Sequence, residues 1–245
     1  MRISIIGTGY VGLVSGACLA EVGHDVTCVD VDPTKVDAIN AGRAPIHEAG
    51  LPELLQRVVG RKLRATADLA GAVQASDVTF IAVGTPAADG KIDLQYVKRA
   101  AEQIGAAMRG KPGRHTVVVK STVIPGTTDG PVRQALEAGS GLVAGRDFGL
   151  GMNPEFLTEG QAIEDFMRPD RIVLGGIDES TRDALAVIYA PFAGAPVIRT
   201  NNKTAEMIKY ASNAALATMI SFANVFGRLC STLGDVDVRD VMQGV

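Results

Sequence analysis

Hydrophobic positions along the chain fall into short β-branched runs separated by longer stretches in which apolar residues recur every three or four positions. The short runs predict strands at residues 2–6, 25–29, 63–65, 78–82, 116–119, 148–151, 171–174 and 196–199. The helical spacing between them predicts helices near residues 10–22, 34–41, 51–59, 94–108, 130–138 and 180–189. Such regular alternation is the sequence sign of βαβ units, and it predicts an α/β fold: a Rossmann-like, doubly wound parallel sheet over residues 1–200.

From Lys203 to about Leu233 the pattern changes. There is no proline, the first glycine is Gly227, and Met207, Ile208, Ala211, Ala215, Met219, Phe222 and Phe226 recur at helical spacing. This predicts one long helix, grouped with the rest of 201–245 as a connecting and dimerisation region. Its apolar stripe would leave a large patch in water, so a homodimer through the helix is expected. The chain stops at Gly244-Val245 within what reads as a further helix and loop, so the sequence is expected to be part of a longer one.

Composition narrows the class. Of 245 residues, 47% are hydrophobic and 21% charged, which belongs to a folded globular chain. Net charge is −3, from 24 basic and 27 acidic residues without a long like-charge run, so no nucleic-acid or anionic-membrane partner is expected. Cys18, Cys28 and Cys230 are too few and scattered for a disulfide framework or a zinc site; a reducing cytoplasm and no bound metal are expected. The apolar start after Arg2 loosely resembles a secretory leader, but Gly7, Gly9, Gly12 and Gly16 make it a poor apolar helix. No run reads as the eighteen or so apolar residues that cross a bilayer.

The candidate chemistry begins at Gly7-Thr8-Gly9-Tyr10-Val11-Gly12, between the first strand and the first helix. Glycines there allow a tight turn, a close backbone approach and helix–strand packing, and the helix N-terminus offers N–H groups to a diphosphate. The second strand delivers Asp30 where an acid can bond the adenosine ribose. Val31, Asp32 and Pro33 supply no cation for a 2′-phosphate, which favours NAD over NADP. Lys35 blunts that preference if it points back at the ribose; its plainer reading is a solvated helix lysine.

Ligands of an open parallel sheet bind beyond the carboxyl ends of its strands. Val83-Gly84-Thr85-Pro86, Lys120-Ser121-Thr122 and Asn153-Pro154-Glu155 all follow predicted strands. Singly each reads as ordinary loop chemistry; together they line one crevice. On the long helix Lys209 and Asn213 share a face, with Glu206 three residues before the lysine. Spacing alone favours an exposed Glu206–Lys209 pair, while the small and apolar neighbours suggest a partly buried cleft.

Taken in order, Gly7–Leu13, Val83–Pro86, Ser121–Thr127, Asn153-Pro154-Glu155-Phe156-Leu157 and Ala205-Glu206-Met207-Ile208-Lys209-Tyr210 resemble the UDP-glucose/GDP-mannose dehydrogenases, with UDP-glucose members nearest. The resemblance runs from Met1 to about Val245. It implies a four-electron oxidation at C6 of a nucleotide sugar, UDP-glucose to UDP-glucuronate, through a thioester and with two NAD. By motif position, Lys209 would stabilise oxyanions, Asn213 would hold a water or the same oxygen, and Thr122 and Glu155 would position water and handle protons. Phe156, Leu157 and Glu159 would lie along the substrate, with Glu159 also near the nicotinamide ribose. Thr85, Ser121 and Thr122 would join the glycine loop, Asp30 and Lys35 in holding NAD.

The family's nucleophile, a cysteine in a Gly-Gly-x-Cys loop of a following domain, has no counterpart among these residues, and Val225 stands where relatives often carry Glu. Three alternatives stay open at this point: oxidation of GDP-mannose, a two-electron hydroxyacid dehydrogenase, and a non-catalytic NAD-binding dimerisation module.

Overall fold

The computed structural model describes residues 1–88, 90–192 and 194–245. The chain divides into two compact units, Met1–Met207 and Ile208–Val245. The boundary expected at residue 200 falls inside the first.

Strands of the first unit are β1 (Arg2–Ile6), β2 (Asp25–Val29), β3 (Leu63–Thr66), β4 (Val78–Ile81), β5 (Ala87–Ala88), β6 (Lys91–Ile92), β7 (Thr116–Val119), β8 (Gly149–Met152), β9 (Ile172–Gly176) and β10 (Val197–Thr200). The helices are α1 (Tyr10–Glu21), α2 (Pro33–Asn40), α3 (Leu51–Val58), α4 (Leu69–Ala75), α5 (Gln95–Met108), α6 (Arg133–Ser140), α7 (Ala162–Met167), α8 (Glu179–Tyr189), α9 (Asn202–Leu233) and α10 (Val238–Gln243). Eight strands form one sheet in the order β10-β9-β8-β7-β4-β1-β2-β3, while β5 and β6 make a small antiparallel ladder.

Strands β4, β7 and β8 are buried at every residue. A strand covered on both faces needs apolar residues without alternation, which is why Val117-Val118-Val119 reads as a continuous run. Helix α1 is buried from Gly12 to Ala20, and a Cβ on Gly16 would stand 2.7 Å from the Cys28 sulfur. Small residues thus let α1 lie close against β2.

The order reverses between β1 and β4, the switch point at which an open α/β sheet forms its crevice. The expected parallel sheet holds from β8 through β3, but β9 pairs antiparallel with β8, and β10 follows β9 in parallel. Burial dictates which residues are apolar and leaves strand direction unwritten, so the pattern carried no sign of this reversal.

The helix expected at 130–138 is a wide turn, Thr128–Val132, followed by α6; Gly130 and Pro131 interrupt regular bonding there. Helices α4, α7 and α10 and the β5–β6 ladder are too short to show a period. One expectation needs adjusting at α9: an 18-residue window within it reaches a mean hydropathy of 1.3, enough by length and composition alone to cross a membrane. Alanines, serines and threonines between the larger residues hid this from a search for an unbroken apolar run. In the second unit, Leu216, Met219, Ile220, Phe222, Val225 and Leu229 are exposed along α9.

Candidate functional site

Strand β1 ends at Ile6 and α1 begins at Tyr10, so three residues must redirect the chain. Gly7 does so at φ +101°, and a Cβ there would stand 2.7 Å from the Ala82 carbonyl oxygen. A Cβ on Gly12 would come within 2.0 Å of the Gly7 carbonyl oxygen. The chain itself therefore requires both glycines. Gly9 is different: a Cβ there would meet nothing within 4 Å, and no side chain caps the helix that Gly9 opens. Uncapped N–H groups beside a glycine that packing does not require fit a diphosphate approaching the backbone.

Asp30, just beyond β2, turns its carboxylate toward this loop. Oδ2 accepts from the Thr8 N–H at 2.9 Å and the Thr8 hydroxyl at 2.5 Å, and Oδ1 accepts from the Asp32 N–H at 3.0 Å. A carboxylate accepts about four hydrogen bonds, so capacity remains for a ribose hydroxyl. Lys35 Nζ lies 4.0 Å from Oδ2 with the side chain 38% exposed, so it is within reach of the acid while still open to solvent, and it offsets part of the charge that would repel a 2′-phosphate. Burial alone would raise the Asp30 pKa, but the Thr8 and Asp32 bonds, aided by Lys35, hold it below its ordinary value.

A lowered folded pKa means that this group's stability is present above the unfolded value and is lost as pH falls through the folded one. Asp30→Asn is expected to cost about 1–3 kcal/mol at neutral pH by leaving Thr8 or Asp32 underbonded. Thermal melting at a series of pH values checks this: the gap from wild type should shrink below pH ~4. A gap unchanged down to pH ~2 would show that the carboxylate does not hold the loop.

The neighbouring strand ends are tied together. The Ser121 hydroxyl, after β7, donates to the Val83 carbonyl at 2.7 Å, which brings the Ser121-Thr122 loop beside the Val83–Pro86 loop. Thr85 and Thr122 are both half-buried, and Val11 is half-buried in the first turn of α1.

At the ends of β7 and β8 lies a cavity of about 140 Å³ lined by Lys120, Asn153, Glu155, Phe156, Leu157 and Tyr189, among others. Lys120 is buried and donates to Asn153 Oδ1 at 2.8 Å, while the Tyr189 hydroxyl donates to the same oxygen and Asn153 Nδ2 donates to the Val173 carbonyl at 2.9 Å. The Asn-Pro-Glu turn is thereby anchored from β7, β9 and α8. Glu155 Oε2 accepts from the Leu157 N–H at 2.7 Å, and the Arg171 guanidinium lies 4.0 Å from the Phe156 ring centre. Glu159 is exposed one residue before Gly160, which packs against Tyr10.

Glu48 and Glu206 are buried carboxylates; the sequence pattern leaves the first unmarked and marks the second only as a partner of Lys209. Glu48, in the loop before α3, accepts from the Tyr10 hydroxyl, the Gly160 N–H at 2.8 Å and the Ala162 N–H at 2.9 Å. Burial would raise its pKa, but these bonds hold it low. Glu206 accepts from the Gly126 and Thr128 N–H groups and so pins the loop that carries Thr122. Burial pushes its pKa up. Glu206 and Lys209 are both buried, which rules out the exposed pair favoured by spacing. Glu48, a lone acid in a loop, has no period to reveal it, and its partners lie far along the chain.

Lys209 and Asn213 belong to the second unit, one turn apart on α9, with Lys209 buried and Asn213 exposed. The three cysteines are free and buried, and burial pushes the Cys18 and Cys28 thiols up to about 12. Neither is a thiolate near neutral pH.

Two family descriptions match the chain: the UDP-glucose/GDP-mannose dehydrogenase family NAD binding domain over residues 1–193 and the central domain of the same family over residues 203–245. GDP-mannose 6-dehydrogenase of Pseudomonas savastanoi pv. phaseolicola is 47% identical over 100% of this chain and 56% of its own length. UDP-glucose 6-dehydrogenase AglM of Haloferax volcanii is 46% identical over 100% of this chain and 58% of its own. A ternary complex of GDP-mannose dehydrogenase from Pseudomonas aeruginosa matches with a TM-score of 0.96 and 48% identity, covering 99% of this chain and 56% of that one. The chain thus spans little more than half the length of these relatives.

Proposed function

Because the chain belongs to the UDP-glucose/GDP-mannose dehydrogenase family, we propose that it supplies the NAD-binding and helical parts of an enzyme that oxidises C6 of a nucleotide sugar. One observation carries this reading. The glycine loop after β1, the Ser121-Thr122 loop after β7 and the Asn153–Leu157 segment after β8 stand at the same edge of the sheet, on strands in the order β8-β7-β4-β1.

NAD, when bound, supplies the hydride acceptor. The α1 N-terminus and Gly7–Gly12 would hold its diphosphate, Asp30 a ribose, and Thr85, Ser121 and Thr122 its nicotinamide end. Thr122 and Glu155 would position water and move protons, and Phe156, Leu157 and Glu159 would line the sugar nucleotide. Lys209 would stabilise negative charge on oxygen, with Asn213 holding a water or the same oxygen. The exposed apolar positions of α9 would meet a second copy of the chain in a homodimer; Lys203, Asn213, Asn224 and Arg228 among them suit a protein surface better than lipid. A cytoplasmic setting suits the free cysteines.

UDP-glucose is the substrate favoured by the motifs. GDP-mannose is the second reading, favoured by GDP-mannose relatives at 47% identity. The family match displaces the hydroxyacid dehydrogenase alternative.

Carrying an aldehyde to an acid by hydride loss needs an adduct first; the buried Cys18 and Cys28 thiols, pushed up to about 12, provide no thiolate, and Cys230 is buried near the end of α9 in the second unit. The purified 245-residue chain is therefore expected to bind NAD yet release no uronate from UDP-glucose or GDP-mannose. Joined in frame to the C-terminal part of a relative, it should yield uronate from one of them, read as NADH absorbance and product mass. Sustained uronate from the chain alone would overturn the missing-thiol argument. A folded fusion inert toward both sugars would overturn the proposed function.

A further inference from the structure

Glu48 stands where three helices of the first unit meet. It precedes α3, α3 packs on α1, and α1 packs on α7. The carboxylate gathers one hydroxyl and two backbone N–H groups: Oε2 takes the Tyr10 hydroxyl and the Gly160 N–H, and Oε1 takes the Ala162 N–H. Tyr10 is the first residue of α1, directly after Gly9. Its hydroxyl also reaches the Thr158 carbonyl at 3.3 Å and lies 3.2 Å from the Gly160 nitrogen. Residues 158–162 lead directly out of the Glu155–Leu157 turn.

Both ends of this clamp thus belong to different parts of the candidate site. A buried carboxylate with three donors needs no fourth partner to satisfy it, and fold stability alone does not require those donors to come from the cofactor loop and the substrate segment. We propose that Glu48 is a positioning residue that couples the two: order imposed on Tyr10 when a dinucleotide diphosphate docks at the α1 N-terminus passes through Glu48 to the Gly160 and Ala162 amides, so the cofactor presets the segment that meets the sugar. This rests on the reading of 155–159 as substrate-facing. It assigns the coupling to a group that touches neither ligand. Order in one part lowers the cost of ordering the other, which is how two sites communicate without a large shape change.

The experiment is amide hydrogen exchange, resolved by peptide, on the 245-residue chain with and without NAD, in wild type, Glu48→Gln and Tyr10→Phe. In wild type NAD should slow exchange across 158–162 by about tenfold, and in Glu48→Gln by less than about twofold at NAD concentrations that saturate each protein. Glutamine keeps the size of the side chain but has one strong acceptor for three donors. Should Glu48→Gln not fold, Tyr10→Phe removes only the hydroxyl and is expected to show the same loss. A merely structural Glu48 would speed exchange equally with and without NAD. Equal NAD-dependent slowing in wild type and variants would overturn the proposal, as would NAD binding that leaves 158–162 unchanged in wild type. A wild type that binds no NAD would overturn the cofactor reading and the proposal together. A coupled segment in a fusion that oxidises neither sugar would leave the coupling standing and fail the substrate reading alone.

Discussion

In the fusion that supplies a relative's C-terminal part, Lys209→Met is expected to lower turnover by about two to three orders of magnitude. A fixed cation acts on charge that develops on the reacting oxygen, and removing one such donor typically raises the barrier by about 3–4 kcal/mol. Spacing offered a bland alternative, an exposed pair with Glu206 worth under about 1 kcal/mol to folding and nothing to chemistry. The structure removes that alternative, because Glu206 is buried and is bonded by the Gly126 and Thr128 backbone. Methionine keeps much of the apolar stem, so the loss should fall on kcat far more than on the melting temperature. Steady-state kinetics beside thermal melting separates the two, and near-normal turnover in a folded variant would refute the role given to Lys209.

The glycine loop separates what the fold requires from what the ligand requires. Gly12→Ala places a methyl 2.0 Å from the Gly7 carbonyl oxygen, and Gly7 has little room to give, since a Cβ on it would itself stand 2.7 Å from the Ala82 carbonyl oxygen. Neither neighbour is the end of a flexible side chain, so the start of α1 must shift, at a cost of about 3 kcal/mol or more. Gly9→Ala meets no atom of the chain within 4 Å and should melt like wild type. Its methyl would occupy the side from which a diphosphate approaches, so NAD affinity is expected to fall at least about tenfold. The contrast between the two variants matters more than either alone: loss of stability in both would make the loop an ordinary turn.

Much of this was legible in the sequence. Strands β1, β2 and β7 fall where the apolar runs place them, because a buried strand ends where its polar flanks begin. The place of Asp30 just after β2 was legible, but its grip on Thr8 was not, since a side chain's direction is set by the turn that Gly7 makes. Glu48 was illegible for a stronger reason: its partners lie at Tyr10, Gly160 and Ala162, and no local spacing relates them. Lys120 is a similar case. A lysine after an apolar strand reads as the strand's solvated end, and only the antiparallel entry of β9 and the position of Tyr189 enclose it with Asn153.

Calorimetric titration of NAD and NADP into the 245-residue chain, with Gly9→Ala in parallel, tests the cofactor site most directly. Saturable NAD binding is expected, tighter than NADP if the Asp30 carboxylate meets the ribose as proposed, and weakened at least about tenfold in Gly9→Ala with melting unchanged. No NAD binding at millimolar concentration, or equal affinity in Gly9→Ala and wild type, would contradict the placement of the diphosphate at the start of α1.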